Sequence, residues 1–273
     1  MAQANLVLIP ITVLDRQGAT VNGLQRENFK IVEDRKPQHI FSFSQQDLPC
    51  SVGIVIDSSG SMTQVFDAAK DTVRAFLDTS EERDEVFIMG VSSRPELHAD
   101  LTRDVVGARN TIQYLSPGGS TAFLDTVYQA LRRIRSGRNE RKALFVISDG
   151  MDNDSSHSAP ELMSLADEAG VQIYSISIGA HPANKKAIEL RERQNGTALL
   201  DTLAEHTGGI HYSVLNTNQA AEAARKAGRA VRNQYMIGFV PESSNADRKW
   251  HKVKVKLDVP NLVIYARTGY YSK

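Results

Sequence analysis

The chain has 273 residues, 41% of them hydrophobic and 23% charged, and its 32 basic residues balance 32 acidic ones to a formal net charge of zero. That balance leaves no electrostatic footprint for nucleic acid, and no apolar run approaches the roughly 18 residues that a membrane-crossing helix needs. A single cysteine, Cys50, excludes an internal disulfide and any cysteine-based zinc site.

Three blocks follow one another along the chain. In the first, residues 1–48, Leu6–Val13 predicts a strand in which Pro10 marks an edge or a bulge. Asp15-Arg16-Gln17-Gly18 reads as a turn. Phe29–Glu33 alternates, Asp34-Arg35-Lys36-Pro37 turns, and His39–Phe43 alternates again. At the start, Met1-Ala2-Gln3-Ala4 carries the A-x-A pattern that a signal peptidase leaves behind, so export with the signal removed is an expectation.

In the second block, residues 49–233, strands and helices alternate, which predicts a parallel sheet. Strands are expected at 52–57, 85–92, 96–101, 143–148, 171–178 and 210–214, and helices at 63–79, 104–113, 122–135, 160–169, 198–207 and 217–232. Arg94-Pro95 is too short a link for a parallel crossover, so 96–101 should be an antiparallel edge strand. Cys50, at the lip of its strand, reads as a packed residue rather than a reactive thiol.

The third block, residues 234–273, is β-like again, with strands expected at 235–240, 252–259 and 262–267. Neither flank is large enough to bury a core alone. Together they supply roughly six strands, which predicts one β-sandwich with the α/β domain inserted between its halves.

The chemistry concentrates on Ile56-Asp57-Ser58-Ser59-Gly60-Ser61-Met62. This turn leaves the apolar strand 52–56, and its D-x-S-x-S pattern gathers one carboxylate and two hydroxyls. Hard oxygen ligands of this kind suit Mg²⁺, Ca²⁺ or Mn²⁺. Three oxygens are too few for such an ion. Thr121, behind Ser116-Pro117-Gly118-Gly119-Ser120, and Asp149, at the end of the apolar strand 143–148, can supply more. In an open parallel sheet the loops at the carboxyl ends of strands converge on one crevice, so Asp57, Ser59, Ser61, Thr121 and Asp149 are expected to meet there.

These five positions, in this order, resemble the metal-ion-dependent adhesion site (MIDAS) of the von Willebrand factor A (VWA), or integrin I-type, domain. The resemblance implies a Rossmann-like α/β fold: a mostly parallel central sheet with one antiparallel edge strand and helices on both faces. It implies Ser59 and Ser61 as direct ligands of a divalent cation, with Mg²⁺ expected ahead of Mn²⁺ or Ca²⁺. Thr121 would bind directly or through water according to state, and Asp57 and Asp149 would act through waters and hydroxyls. The cation would then take an Asp or Glu of a protein partner. The flanks, through Thr12-Val13-Leu14-Asp15, Asn28-Phe29, Gln234–Phe239 and Arg267-Thr268-Gly269-Tyr270-Tyr271, look like the VWFA-related proteins abundant in Acidobacteria, which implies a secreted, periplasmic or cell-envelope setting. In I domains the last helix shifts with the state of the metal site, and here helix 217–232 leads straight into the sandwich.

Asp152-Asn153-Asp154 does not open an EF-hand, because His157 and Met163 occupy the positions that need Gly and Glu. It reads as a polar loop beside the metal or as a solvated turn. His181–Gly196 is expected to be a polar loop on the metal face. No G-x-S-x-G elbow and no H-E-x-x-H motif occurs, so the chain is not expected to be an enzyme. Two alternatives to an adhesion-type module stay open: an intracellular VWA assembly factor working with an ATPase partner, and a hydrolase.

Overall fold

The computed structural model describes residues 6–179, 187–241 and 249–272. It opens with β1 (Val7–Leu14), β2 (Phe29–Glu33), β3 (Lys36–Gln38) and β4 (Ile40–Asp47). The α/β part follows as β5 (Cys50–Asp57), α1 (Phe66–Leu77), β6 (Glu85–Val91), β7 (Pro95–Thr102), α2 (Val105–Thr111) and α3 (Phe123–Ile134). It continues with β8 (Arg141–Ile147), α4 (Ala159–Ala169), β9 (Gln172–Ile178), α5 (Ala187–Thr207), β10 (His211–Val214) and α6 (Thr217–Arg232). The chain ends with β11 (Asn233–Phe239), β12 (Trp250–Leu257), β13 (Val263–Ala266) and β14 (Gly269–Tyr271).

The six-stranded sheet has the order β10-β9-β8-β5-β6-β7. All its neighbours are parallel except β7, which runs antiparallel to β6 at one edge. The inner strands β5, β6 and β9 are buried along their whole length, as expected of a sheet covered on both faces. One face packs on α1 and α6 through Val73, Phe76, Phe145, Ala224 and Ala227. The other packs on α3, α4 and α5 through Val127, Leu131, Leu162 and Leu203. α6 buries its alanine stripe so closely that a Cβ on Gly228 would meet Thr79 Oγ1 at 2.0 Å. The fold is α/β, with the parallel sheet and antiparallel edge strand that the sequence pattern predicts.

The flanking strands form two four-stranded antiparallel sheets, β13-β1-β11-β4 and β14-β12-β2-β3. Each sheet takes strands from both ends of the chain, and the two share one core around Ile9, Ile11, Phe29, Ile31, Tyr235, Ile237, Phe239 and Val253. The sandwich thus has eight strands rather than six. Lys36 and Pro37, read as turn residues, pair with Glu33 and Val32, and the reversal is confined to Asp34 and Arg35, both at positive φ. Gly269–Tyr271 is too short to stand out by alternation. β1 is an inner strand, not an edge, yet β13 pairs only with Ile11–Leu14, so Pro10 is flanked by β11 alone. A missing N–H is tolerated there.

The two parts meet through buried polar groups. Gln234 Nε2 donates to Gln172 Oε1 at 2.7 Å and to the Tyr174 hydroxyl at 2.9 Å. Arg141 Nη1 caps the end of α6 by donating to the Arg232 carbonyl. The Arg232 side chain, only 8% exposed, pairs with Asp84, with Glu81 at 2.7 Å and with Asp47 at 2.9 Å. Cys50 is packed beneath this cluster, and burial together with Asp84 pushes its thiol pKa well up, away from reactivity.

Candidate metal centre

β5 ends at Asp57, and Ser59 precedes a 3₁₀ turn, Gly60–Val65, that leads into α1. Asp57 is fully buried. Its Oδ1 accepts the Ser59 amide at 2.9 Å and its Oδ2 accepts the Ser148 hydroxyl at 2.6 Å. The Ser59 and Ser61 hydroxyl oxygens lie 3.1 Å apart, so the D-x-S-x-S turn converges its side chains as its spacing predicts. Ser148 in turn accepts the Gly150 amide at 2.9 Å, which ties the end of β8 to the end of β5. Burial pushes the Asp57 carboxyl up to about 6, the hydrogen bonds from Ser148 and Ser59 pull against this, and the charge on Asp149 adds to the rise.

Thr121 arrives on a separate loop that is stitched to the same turn. Gly118 donates its amide to the Ser58 carbonyl at 2.7 Å, and Gly60 donates to the Gly119 carbonyl at 3.2 Å. Gly119 sits at φ +82°, where a side chain would be strained. Ala122 donates to the Ser92 carbonyl, which brings the β6–β7 turn to the same rim.

Asp152-Asn153-Asp154 is a positioning loop rather than a solvated turn. α3 has no side-chain cap of its own at Ala122. Asp152 Oδ1 supplies it from outside, accepting the amides of Phe123 at 2.8 Å and Leu124 at 3.2 Å. Asn153 Oδ1 accepts the Thr121 amide, Asp154 Oδ2 accepts the Ser120 hydroxyl, and the Thr121 carbonyl accepts the amides of Asn153 and Asp154. Nearby, Asp125 accepts the amides of Ser156 and His157 and the His157 ring nitrogen. Burial alone would raise the Asp125 carboxyl, but these donors hold it down to about 2.

α5 differs from expectation. Residues 187–196, read as part of a loop, belong to the helix Ala187–Thr207; 180–186 lie outside the described residues. Gly196 presses backbone to backbone on the metal-face turn: a Cβ there would lie 2.3 Å from the Asp149 carbonyl oxygen, and one on Gly150 would lie 2.2 Å from the Gly196 oxygen.

The donor set fits a hard cation. Asp149 is 6% exposed, and its Oδ2 is buried without a hydrogen-bond partner. Among the described residues, no lysine or arginine forms an ion pair with Asp57 or Asp149, and no three His, Cys, Asp or Glu side chains come together in a group that could hold a metal of any kind, so a cation here would need the serine and threonine hydroxyls. Two buried carboxylates without a counter-charge, beside two converging hydroxyls, are costly unless a cation joins them.

Residues 52–151 match the family model of the von Willebrand factor type A domain. The chain contains a VWA domain. Three solved structures share its fold. A von Willebrand factor type A protein from Catenulispora acidiphila has a TM-score of 0.56 at 13% identity, over 99% of this chain and 74% of that one. An aerotolerance-related membrane protein from Bacteroides fragilis has a TM-score of 0.52 at 20% identity, over 66% of this chain and 98% of that one. Proximal thread matrix protein 1 from the mussel byssus, solved with a zinc-occupied MIDAS motif, has a TM-score of 0.56 at 15% identity, over 72% of this chain and 48% of that one. No curated protein matches the chain. Within this VWA domain, Ser148 is a site residue absent from the sequence reading, hidden as the last residue of an apolar run. The 152–154 loop reads in sequence as lying beside the metal or as a solvated turn, and the cap that Asp152 lends to α3 has no sequence signature.

Proposed function

We propose that the chain is a metal-ion-dependent protein-binding module of the adhesion type and not an enzyme. Ser59, Ser61 and Thr121 hold a divalent cation, Mg²⁺ before Mn²⁺ or Ca²⁺, with Asp57 and Asp149 supplying its counter-charge. The observation that carries this reading is the buried, unpartnered Asp149 Oδ2 beside fully buried Asp57. When bound, the cation supplies a coordination position for the Asp or Glu of a protein partner. The chain's own residues do the rest. Ser148 and the Ser59 amide fix the Asp57 rotamer, and the 152–154 loop fixes the loop that carries Thr121.

The absence of an elbow nucleophile in the sequence supports a binding role over hydrolysis. The β-sandwich grafted on both ends supports an adhesion-type module over an ATPase-linked assembly factor. Among the described residues no helix is long and apolar enough to cross a membrane. A setting in the cell envelope or outside the cell agrees with the membrane and byssus proteins that share the fold.

The test is a thermal melt with Mg²⁺ or Mn²⁺ and then EDTA, followed by a metal-dependent pull-down from the native envelope with Asp57→Ala as control. Metal should raise the melting temperature reversibly, and capture should need both the metal and Asp57. A melting temperature indifferent to millimolar metal would sink the reading.

A further inference from the structure

A cavity of about 210 Å³ lies in the seam between the sandwich and the α/β part. Lys142 and Gln172, which line it, stand at the starts of β8 and β9, so it sits at the amino-terminal end of the six-stranded sheet, opposite the Asp57 turn. Most of its wall is apolar. Pro10 and Met236 are directly paired on the sandwich face turned away from that core, with Leu8 two residues along, and Ala166 and Val171 face them from either side of the α4–β9 turn. Two polar side chains interrupt this wall. Arg267 uses one of its five N–H donors among the described residues, Nη2 to the Leu8 carbonyl at 2.9 Å, and its Nε is buried without a partner. Burial pushes its guanidinium pKa down, and the charge on Asp167 pulls against this. Asp167 is itself committed to His206 Nε2 at 2.8 Å and makes no ion pair with Arg267. Gln234 is fully buried. Gln172 donates its own Nε2 to the Gly208 carbonyl at 2.9 Å, so its Oε1 turns to Gln234 Nε2, and Gln234 Oε1 has no partner. An apolar cavity can stay empty, but a buried cation and acceptor at its wall favour a polar guest.

From this cavity, we propose that the seam binds a small organic acid, its apolar body on Leu8, Pro10 and Met236 and its single carboxylate on Arg267. Size, polarity and charge select that class. The volume falls below the ~300–1,000 Å³ of drug-sized sites, which limits the guest to on the order of ten non-hydrogen atoms. The apolar wall disfavours a sugar or a free phosphate, which would lose water there without replacing its hydrogen bonds. A guanidinium suits a carboxylate because its planar fork matches the two oxygens. Asp167 lies close enough to act on Arg267, which favours one negative charge over two. The cavity shares no residue with the proposed metal centre, so either reading can fail without the other.

The test is methyl NMR of the full chain, labelled at methionine, leucine and valine and titrated with millimolar benzoate, its neutral isostere benzamide, and inorganic phosphate. Benzoate should shift the Leu8, Val171 and Met236 methyls saturably, and benzamide should bind about tenfold or more weakly, as the loss of a hydrogen bond to a charged group implies. Phosphate should leave these methyls unmoved. Arg267→Gln should erase the preference for benzoate over benzamide. Met236→Trp, which fills the cavity and leaves Arg267 in place, should abolish binding of both. No saturable shift at these methyls, benzamide binding as well as benzoate, phosphate shifting the same methyls, or either variant, folded, behaving like the wild type would each overturn the proposal. The comparison of benzoate with benzamide needs no variant, so it decides even where Arg267→Gln fails to fold.

Discussion

The Ser148 hydroxyl donates to Asp57 Oδ2 over 2.6 Å, joining the carboxyl ends of two adjacent parallel strands at the bottom of the candidate metal site. Asp57 is thereby held in one rotamer by groups that are themselves fixed. Groups that orient a metal site in this way are typically worth 10–100-fold in affinity. Ser148→Ala should therefore lower Mn²⁺ affinity by about that factor while leaving the circular dichroism spectrum unchanged, as read by isothermal titration. Unaltered affinity would show that Asp57 needs no such support.

The loop that borrows Asp152 as a helix cap offers a second test. Asp152→Ala removes the acceptor for two amides at the start of α3 and for the Ser155 hydroxyl at 2.5 Å. Loss of a cap costs about 1–2 kcal/mol. Because the same segment carries Thr121, the variant should lose metal affinity along with stability in urea. Asn153→Ala, which frees only the Thr121 amide, should show the affinity loss with a smaller change in midpoint.

The raised Asp57 carboxyl predicts an unusual pH dependence for the metal-free protein. Its folded value, about 6, lies above the unfolded value of about 3.9. Between those values the native state binds more protons than the unfolded state, so this group lowers stability as pH rises from ~4 to ~6. The full effect is on the order of 3 kcal/mol. Asp125, held down to about 2, acts in the opposite sense, and its contribution is lost as pH falls from about 4 to about 2. The clean measurement is the difference between wild type and Asp57→Asn without metal, which should grow across this window. Saturating Mg²⁺ should cancel the wild-type loss, and a flat difference would rule out a buried, uncompensated Asp57.

Arg232, at the junction of the two parts, pairs with Asp84 and Glu81 of the α/β part and with Asp47 at the end of β4. Its removal leaves the buried Asp84, 2% exposed, without its cation. Breaking a buried pair in this way costs about 3–5 kcal/mol. Arg232→Ala should thus lower the denaturation midpoint far more than Arg109→Ala, whose pair with Asp78 is exposed. Equal shifts would mean that the junction contributes no more than a surface pair.

Much of this was legible in the sequence. The unbroken apolar runs at 52–56 and 143–147 could only be strands buried on both faces, and they fix where Asp57 and Asp149 emerge. The short Arg94-Pro95 link fixes the direction of β7. What escaped notice shares one cause, the lack of a periodic signal. In helix α5, Gln194-Asn195-Gly196 looks like loop sequence because its glycine serves backbone contact with Gly150 rather than flexibility. The alternation at Ile40–Phe43 is broken by a bulge opposite Gly238 and Phe239, which leaves Phe41 outside the core. Ser148 reads as one more small strand residue until its hydroxyl is seen against Asp57.

The α6–β11 junction has no spacer: Arg232 closes the helix and Asn233 opens the strand, directly beside Asp47, which ends β4 and precedes the entry into β5. Both crossings therefore sit side by side at the amino-terminal end of the sheet, a full strand length from the Asp57 turn. Under the proposed binding role, a pull between the sandwich and a partner held at the Asp57 turn would run along the strands. In that direction many hydrogen bonds share the load at once, so the protein should resist shearing far better than peeling.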